Sequence, residues 1–277
     1  MDLVVVVPCY NCDAFIGQTI QALLSQTQLP AEIIVIDDGS CDRSRQIISK
    51  YPVRLLNHDR NRGLSHARNT ALHNTDCEII LYVDADAYAD INLVHRISEK
   101  YQDKDICGVG GQGIEAIQQS IYDRWRYLHA SQSHGDLAID NCQHLFGLCM
   151  AYRRQSLIDI GGFDTSLQTN AEDMDIGYRL FDAGNRLVYM PEAIVYHQRK
   201  DNSQSLRRMM YNWYHWAFIV KRKNKRDPWS LAYGTGRRML FTDTLYDLVI
   251  RRDIKLAKLD ITLSVVKFKA LMDAAKL

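Results

Sequence analysis

Glu32-Ile33-Ile34-Val35-Ile36-Asp37-Asp38-Gly39-Ser40 is the stretch on which the reading of the fold turns. An unbroken β-branched run of this kind reads as a strand buried on both faces, and the acids, glycine and serine after it read as a turn. The same grammar stands upstream in Leu3-Val4-Val5-Val6-Val7-Pro8-Cys9-Tyr10-Asn11 and downstream in Glu78 to Val83, followed by Asp84-Ala85-Asp86. Between these runs Phe15, Ile16, Ile20, Leu23 and Leu24 return at helical spacing and predict a helix over 13–28. Further helices are expected at 43–50, 64–73 and 91–101, with a short strand at 53–56. Strands alternating with helices predict βαβ units and a mainly parallel sheet, whose ligands sit outside the carboxyl ends of the strands. Strand ends in this chain bring Asp37, Asp38, Asp84 and Asp86 to one rim.

From Gly108 to Gln143 the pattern loosens. Gly108-Val109-Gly110-Gly111-Gln112-Gly113 satisfies G-x-G-x-x-G, but a dinucleotide fingerprint follows the first strand and opens a helix. Here the run comes after four expected strands, so no nicotinamide or flavin site is expected. Leu148 to Tyr152 reads as a strand, with Arg153 and Arg154 after it expected to be solvated. Glu172-Asp173-Met174-Asp175 opens a helix to about Ala183, stopped by Gly184. Arg186 to Met190 and Ala193 to Tyr196 read as short strands closing on His197.

The 277 residues, 47% apolar and 24% charged, have the composition of an ordinary globular protein. No run approaches the ~20 apolar residues that span a bilayer. Leu3 to Val7 is too short for a signal-peptide core and has no basic leader, which predicts a cytosolic chain. Seven cysteines fit reduced thiols better than a disulfide scaffold, and Cys9-x-x-Cys12 lacks the second pair that a zinc site needs. The net charge of +1 hides an asymmetry: from Arg199 to Leu277 there are 18 Lys/Arg against 7 Asp/Glu, so the tail is strongly basic and the rest acidic.

Val7-Pro8-Cys9-Tyr10-Asn11, Val35-Ile36-Asp37-Asp38-Gly39-Ser40, Asn61-Arg62-Gly63 with Ala67-Arg68-Asn69, Asp84-Ala85-Asp86 and Glu172-Asp173 occur in the order found in family 2 glycosyltransferases, and the chain resembles that family over roughly 3–200. The resemblance implies an α/β GT-A fold with a central mainly parallel sheet, here followed by a C-terminal helical extension. It divides the chain into a nucleotide-sugar-binding half at 1–110, an acceptor-binding and catalytic-base half at 111–200, and a basic amphipathic tail at 201–277. The implied reaction is inverting, metal-assisted transfer from a nucleoside-diphosphate sugar, UDP-linked by preference, to a saccharide or lipid-linked acceptor.

Residue by residue, Asp84 and Asp86 resemble the family's D-x-D and would hold Mn²⁺ or Mg²⁺, with Asp86 the main ligand and His197 a third ligand or a diphosphate contact. On an extended chain residues i and i+2 share a side, so both carboxylates can face one cation, which takes hard oxygen ligands. Pro8, Tyr10 and Asn11 would wall the nucleotide pocket, Asp38 would accept a hydrogen bond from the base, and Ala85 and Arg68 would lie at the donor, Arg68 as a cation near the diphosphate. Asp173 would be the general base and Glu172 would contact the acceptor. The residues leave plainer uses open: Asx-turns for Asp37 and Asp38, a helix cap for the D-x-D, and dipole stabilisation by Glu172 and Asp173.

In the tail, Leu206, Met209, Met210, Trp213, Trp216, Ala217 and Val220 predict a helix over 203–223, and another is expected at 253–276 with two apolar rows. These helices can pack on the catalytic domain or a second subunit, or lie on an anionic bilayer at the inner face of the membrane. No nucleic-acid-reading motif is present. The Q-x-x-R-W of polymerising relatives is missing after Glu172-Asp173, so one sugar per acceptor is expected. The rival readings are a non-catalytic nucleotide- or sugar-binding relative and a sugar-phosphate nucleotidyltransferase.

Overall fold

The computed structural model describes residues 2–167 and 170–277. They fall into two compact units, Met1–Ala116 with Gln132–Gln198, and Ile117–Ser131 with Arg199–Leu277. The two halves expected at 1–110 and 111–200 therefore share one unit, and a short segment from the second half belongs with the tail.

The first unit is built on an eight-stranded sheet of order β3-β2-β1-β4-β7-β6-β8-β5. Strands β1 (Leu3–Cys9), β2 (Glu32–Asp37), β3 (Arg54–Asn57) and β4 (Ile79–Val83) run parallel, as the βαβ pattern predicts. Their β-branched runs are buried because both faces are covered. Val5, Val7, Ile33 and Leu81 pack with Ile16, Ile20 and Leu23 of α1 (Ile16–Leu24) and with Leu93 and Ile97 of α4 (Leu93–Lys100). Val4, Val6, Ile34 and Ile80 point the other way, against Ala67 and Ala71 of α3 (Leu64–His73) and Ile176 and Leu180 of α7 (Glu172–Asp182). The short helices α2 (Ser44–Ile48) and α6 (Arg154–Asp159) complete the layers.

Beyond β4 the sheet becomes mixed. Strand β7 (Cys149–Arg153) is inserted antiparallel between β4 and β6 (Ile106–Glu115), and β5 (Ala87–Ala89) pairs antiparallel with β8 (Arg186–His197). The loosely patterned stretch from Gly108 is thus the ten-residue strand β6. Its hydrophobic period is interrupted by glycines placed there for room. A Cβ would come within 3.0 Å of Leu187 at Gly108, Leu145 at Gly110, the Ala193 carbonyl at Gly111 and Leu148 at Gly113. This run opens no helix, so the context of a dinucleotide fingerprint is missing. The two short strands expected at 186–196 are one continuous strand.

Arg153 and Arg154 differ from the solvated reading. Arg153 donates to the carbonyl of Ile106 and pairs with Glu78, and Arg154 donates to the carbonyl of Leu72. Unpaired carbonyls at strand and helix ends attract such donors.

The second unit is helical: α5 (Ile121–His129), α8 (Ser203–Lys223), α9 (Ser230–Phe241), α10 (Asp243–Val249) and α11 (Ile254–Ala275). Helix α5 opens on a capping box, with Ser120 accepting from the Asp123 amide and Asp123 accepting from Ser120. Leu206, Met209 and Met210 of α8 bury against Trp125 of α5 and Leu256 and Leu263 of α11. Among the described residues no helix is long and apolar enough to cross a membrane.

Candidate active site

The rim at the carboxyl ends of β1, β2 and β4 carries two knots of side chains. In the first, Asp37 is fully buried and accepts from Arg45 Nη2 at 2.6 Å and from the Ser40 amide, which makes it the support of the turn. Asp38 accepts from the amides of Arg62 at 2.9 Å and Gly63 at 2.8 Å and meets His58 Nδ1 at 2.5 Å. Its carboxylate, 4% exposed, ties the 60–63 loop to the end of β2. Gly39 permits this approach: its φ is +75°, and a Cβ there would strike the Arg60 backbone. Asn11, at φ 50°, donates from its amide to Ser40 Oγ and accepts from the Cys41 amide, while Pro8 is buried in β1 and Tyr10 is exposed. Cys9 and Cys12 are free thiols, and the Cys12 thiol is pushed up by its hydrogen bond to Cys9 and by burial.

The second knot forms around Arg68, which helix α3 holds fully buried. The resemblance made it a cation at the diphosphate. The structure gives its guanidinium other partners: Glu172 Oε1 at 2.5 Å, Asp84 Oδ1 at 3.3 Å and the Gly147 carbonyl at 3.1 Å. Glu172 is 4% exposed, and burial pushes its carboxyl up against the pull of Arg68. Asp173, beside it in the first turn of α7, is half-buried and accepts from the Gly147 amide at 2.8 Å through one oxygen and from the Met174 amide through the other. Gly147 therefore serves both sides, its N–H on Asp173 and its C=O on Arg68. A Cβ there would come 2.9 Å from Arg68 Nη2.

Asp84 closes β4 and sits on the Leu148 carbonyl through its amide. Its side chain keeps 27% of its surface exposed, yet burial pushes the carboxyl up to about 7, with Arg68 opposing and Asp86 adding to the shift. The Ala85 carbonyl is taken by Thr19 Oγ1 at 2.8 Å. Asp86 Oδ2 lies 3.2 Å from His197 Nε2, and His197 Nδ1 lies 3.2 Å from Glu115 Oε1 at the end of β6. The pairing of β5 with β8 sets this up, since Ala87 is in register with His197.

The donor set suits a hard divalent cation. Asp84 and Asp86 would supply oxygens, His197 would supply Nε2, and Glu115 would fix the ring through Nδ1, the arrangement usual behind a metal-bound histidine. The structure thus brings together Arg68, Asp84, Glu172 and Asp173, and separately Asp86 and His197. Sequence reasoning missed Glu115 and Gly147. The first ends a strand that its glycines hide; the second belongs to the turn before an antiparallel strand, where no local pattern marks it. Among the described residues, the group of three His/Asp ligand atoms closest together lies elsewhere, in the helical unit, at His129, Asp247 and Asp260.

Fold and rim define the class first: a mixed α/β sheet of the GT-A type with a carboxylate-lined edge. The model of Glycosyl transferase family 2 matches residues 4–161, and the chain belongs to that family. It is 23% identical over 244 residues to the pre-mycofactocin glycosyltransferase of Mycobacterium tuberculosis, covering 84% of this chain and 51% of that protein. The chain thus spans about half the length of that curated relative. It is 38% identical over 113 residues to the glycosyltransferase EpsJ of Bacillus subtilis, which is 38% of this chain and 33% of that one. The fold is shared with mannosyltransferase PcManGT of Pyrobaculum calidifontis, solved with GDP-Man and Mn²⁺, at TM-score 0.66 and 19% identity over 99% of this chain and 85% of that one. It is shared too with S. aureus TarS in complex with UDP-GlcNAc, at TM-score 0.63 and 17% identity over 99% of this chain and 80% of that one.

Proposed function

We propose that this chain transfers one sugar from a UDP-linked donor, with inversion, to a hydroxyl of a saccharide or lipid-linked acceptor at the cytoplasmic face of a membrane. The observation that carries the reading is the placement of Asp173. Two backbone amides hold its carboxylate, and it shares Gly147 with the Arg68–Asp84 pair. In this scheme the acceptor oxygen forms a bond to C1 as the bond from C1 to the diphosphate oxygen breaks. The acceptor proton passes to Asp173, and the leaving electron pair stays on the nucleoside diphosphate. A divalent cation bound by Asp84, Asp86 and His197 would act as a Lewis acid on that leaving group. Arg68 holds Asp84 and Glu172 in place, Asp38 ties the 60–63 loop to the end of β2, and Pro8, Tyr10 and Asn11 would wall the base. Relatives support the donor class, since one shared fold is known with UDP-GlcNAc and another with GDP-Man and Mn²⁺.

The test is thermal stability with UDP, GDP and dTDP, each with and without Mn²⁺, in the wild type and Asp86→Ala. A ligand at 100 times its Kd adds about 2.7 kcal/mol, a visible shift. Metal-dependent stabilisation by UDP that disappears in Asp86→Ala is the expected result. A flat response to every nucleotide overturns the reading and favours a binding relative without catalysis. The anomer of the product, read by NMR, decides inversion.

A further inference from the structure

The apolar rows of the helical unit were open to two uses, and the structure separates them. The row of α8 and one row of α11 are consumed in packing against each other and against Trp125. What stays outside is part of the other row of α11, with Ile261, Val265 and Met272 exposed, and above all the segment joining the two helices: α9, α10 and the start of α11.

Between Arg237 and Lys258 fifteen residues are exposed, and fourteen of them are apolar or basic, Thr242 being the other. Eight are apolar, running from Leu240 to Ile254, with Phe241 69% and Ile250 62% exposed. Six are basic: Arg237, Arg238, Arg251, Arg252, Lys255 and Lys258. The acids of the same stretch are drawn to protein partners. Asp247 is fully buried and holds His129 and Arg251; Asp253 caps α11 and pairs with Arg124; Asp243 lies 3.7 Å from His129 Nδ1. Among the described residues, Arg251 is the one of the six basic residues that an acid holds. The exposed side of this segment is therefore apolar and cationic at once. Beside it Leu128, Phe241, Leu245, Tyr246, Val249 and Ile250 line an open hollow of about 520 Å³.

A large exposed apolar patch marks an interaction site, and its cationic rim selects an anionic partner. A second copy would bring the same basic rim to face this one. A bilayer with anionic headgroups accepts both features together, apolar side chains into the acyl boundary and basic ones onto phosphates. We infer that Arg237–Lys258 is a membrane-docking surface for anionic lipid. This deepens the reading of a lipid-linked acceptor, and the surface is argued from its own residues.

The experiment is co-sedimentation of the full chain with phosphatidylcholine vesicles and with vesicles of phosphatidylcholine containing about one-third phosphatidylglycerol. The expected result is binding to the anionic vesicles, weakened by 0.5 M NaCl (roughly a 4 Å Debye length). In the variant R237Q/R238Q/R252Q/K255Q, partition into anionic vesicles falls on the order of 10²–10³-fold, at about five-fold per basic residue. A second variant, F241S/V249S/I250S, loses binding at every salt concentration. Circular dichroism and melting in the absence of vesicles establish that both variants fold. Equal binding to neutral and anionic vesicles, or undiminished binding of the charge variant, overturns the inference. So does a concentration-dependent dimer that the serine variant abolishes, which assigns the patch to a second copy. Stabilisation by UDP and Mn²⁺, measured on the same variants, stays at the wild-type level. Its loss in all proteins, the wild type included, would count against the transferase reading and leave the vesicle result standing.

Discussion

Arg68 in the sheet unit and Arg251 in the helical unit both commit their guanidinium to a buried acid, 2.5 Å from Glu172 and 2.5 Å from Asp247. Around Arg68 the neighbouring acids reach an edge: Asp84 and Asp86 keep 27% and 28% of their side-chain surface exposed. Around Arg251 two acids are sealed in, Asp247 fully buried and Asp260 4% exposed, and Asp243 alone, 3.7 Å from His129, keeps 26% of its side-chain surface exposed. There His129 lies 2.9 Å from Asp247, and Trp125 Nε1 donates to Asp260, so the cluster ties α5 to α10 and α11 with cations of its own. A buried ion pair is a scaffold in both units. In the proposed transferase the network of the sheet unit is the one put to chemical use, because Asp84 and Asp86 keep part of their carboxylates at an edge.

The largest expected effect separates the two clusters outright. Asp173→Asn lowers kcat by about 10²–10⁴ with little change in Tm, while Asp247→Asn lowers Tm and leaves kcat near wild type. Similar losses of kcat in both would erase the distinction. Removing the central cation comes next. Arg68→Met strands Glu172 and costs about 3–5 kcal/mol by urea unfolding. Arg251→Met, at a partly exposed position, costs less than half of that. The comparison sharpens again at the histidines. Glu115→Gln weakens Mn²⁺ binding about 10–100-fold by calorimetry, and no change would mean that His197 is not a ligand.

Proton uptake gives the two clusters opposite readouts. With the Asp84 carboxyl pushed up to about 7, Mn²⁺ affinity falls as pH drops below 7, because the proton and the cation compete for the same oxygen. The Asp260 carboxyl is pushed up to about 6, by burial first, with Asp247 adding to the shift. The folded state then keeps a proton that the unfolded chain has released above about pH 4. This group's contribution is therefore fully present below that pH and is lost as pH rises through about 6, which urea midpoints at intervals across that range would follow in wild type and Asp260→Asn.

Much of this was legible in the residues. The β-branched runs of β1, β2 and β4 placed themselves, and α3 and α8 fell at their expected bounds, because burial on two faces or one helical stripe leaves a strong period. Carboxylates at the ends of parallel strands could be assigned to one rim from topology alone. Strand β6 was hidden because its glycines carry no side chains to show a period, and with it went Glu115. The helices α9 and α10 were hidden too, since an apolar face left outside has no polar opposite to mark it. Arg68 showed its importance in the sequence but not its partners, which come from residues 84, 147 and 172.

The glycines of β6 set a limit for anyone stabilising this protein by design. Exchanging glycine for alanine is a common route to a more rigid chain, but a methyl group has nowhere to go at Gly108, Gly110, Gly111 or Gly113. Gly234 in α9 is the opposite case, with nothing within 4 Å of an added Cβ, and Gly234→Ala should raise stability by about 0.5–1 kcal/mol, measured by urea unfolding. Loop grafting meets the same boundary. Whatever is exchanged in the loops around it, the glycine run of this strand has to be left letter for letter.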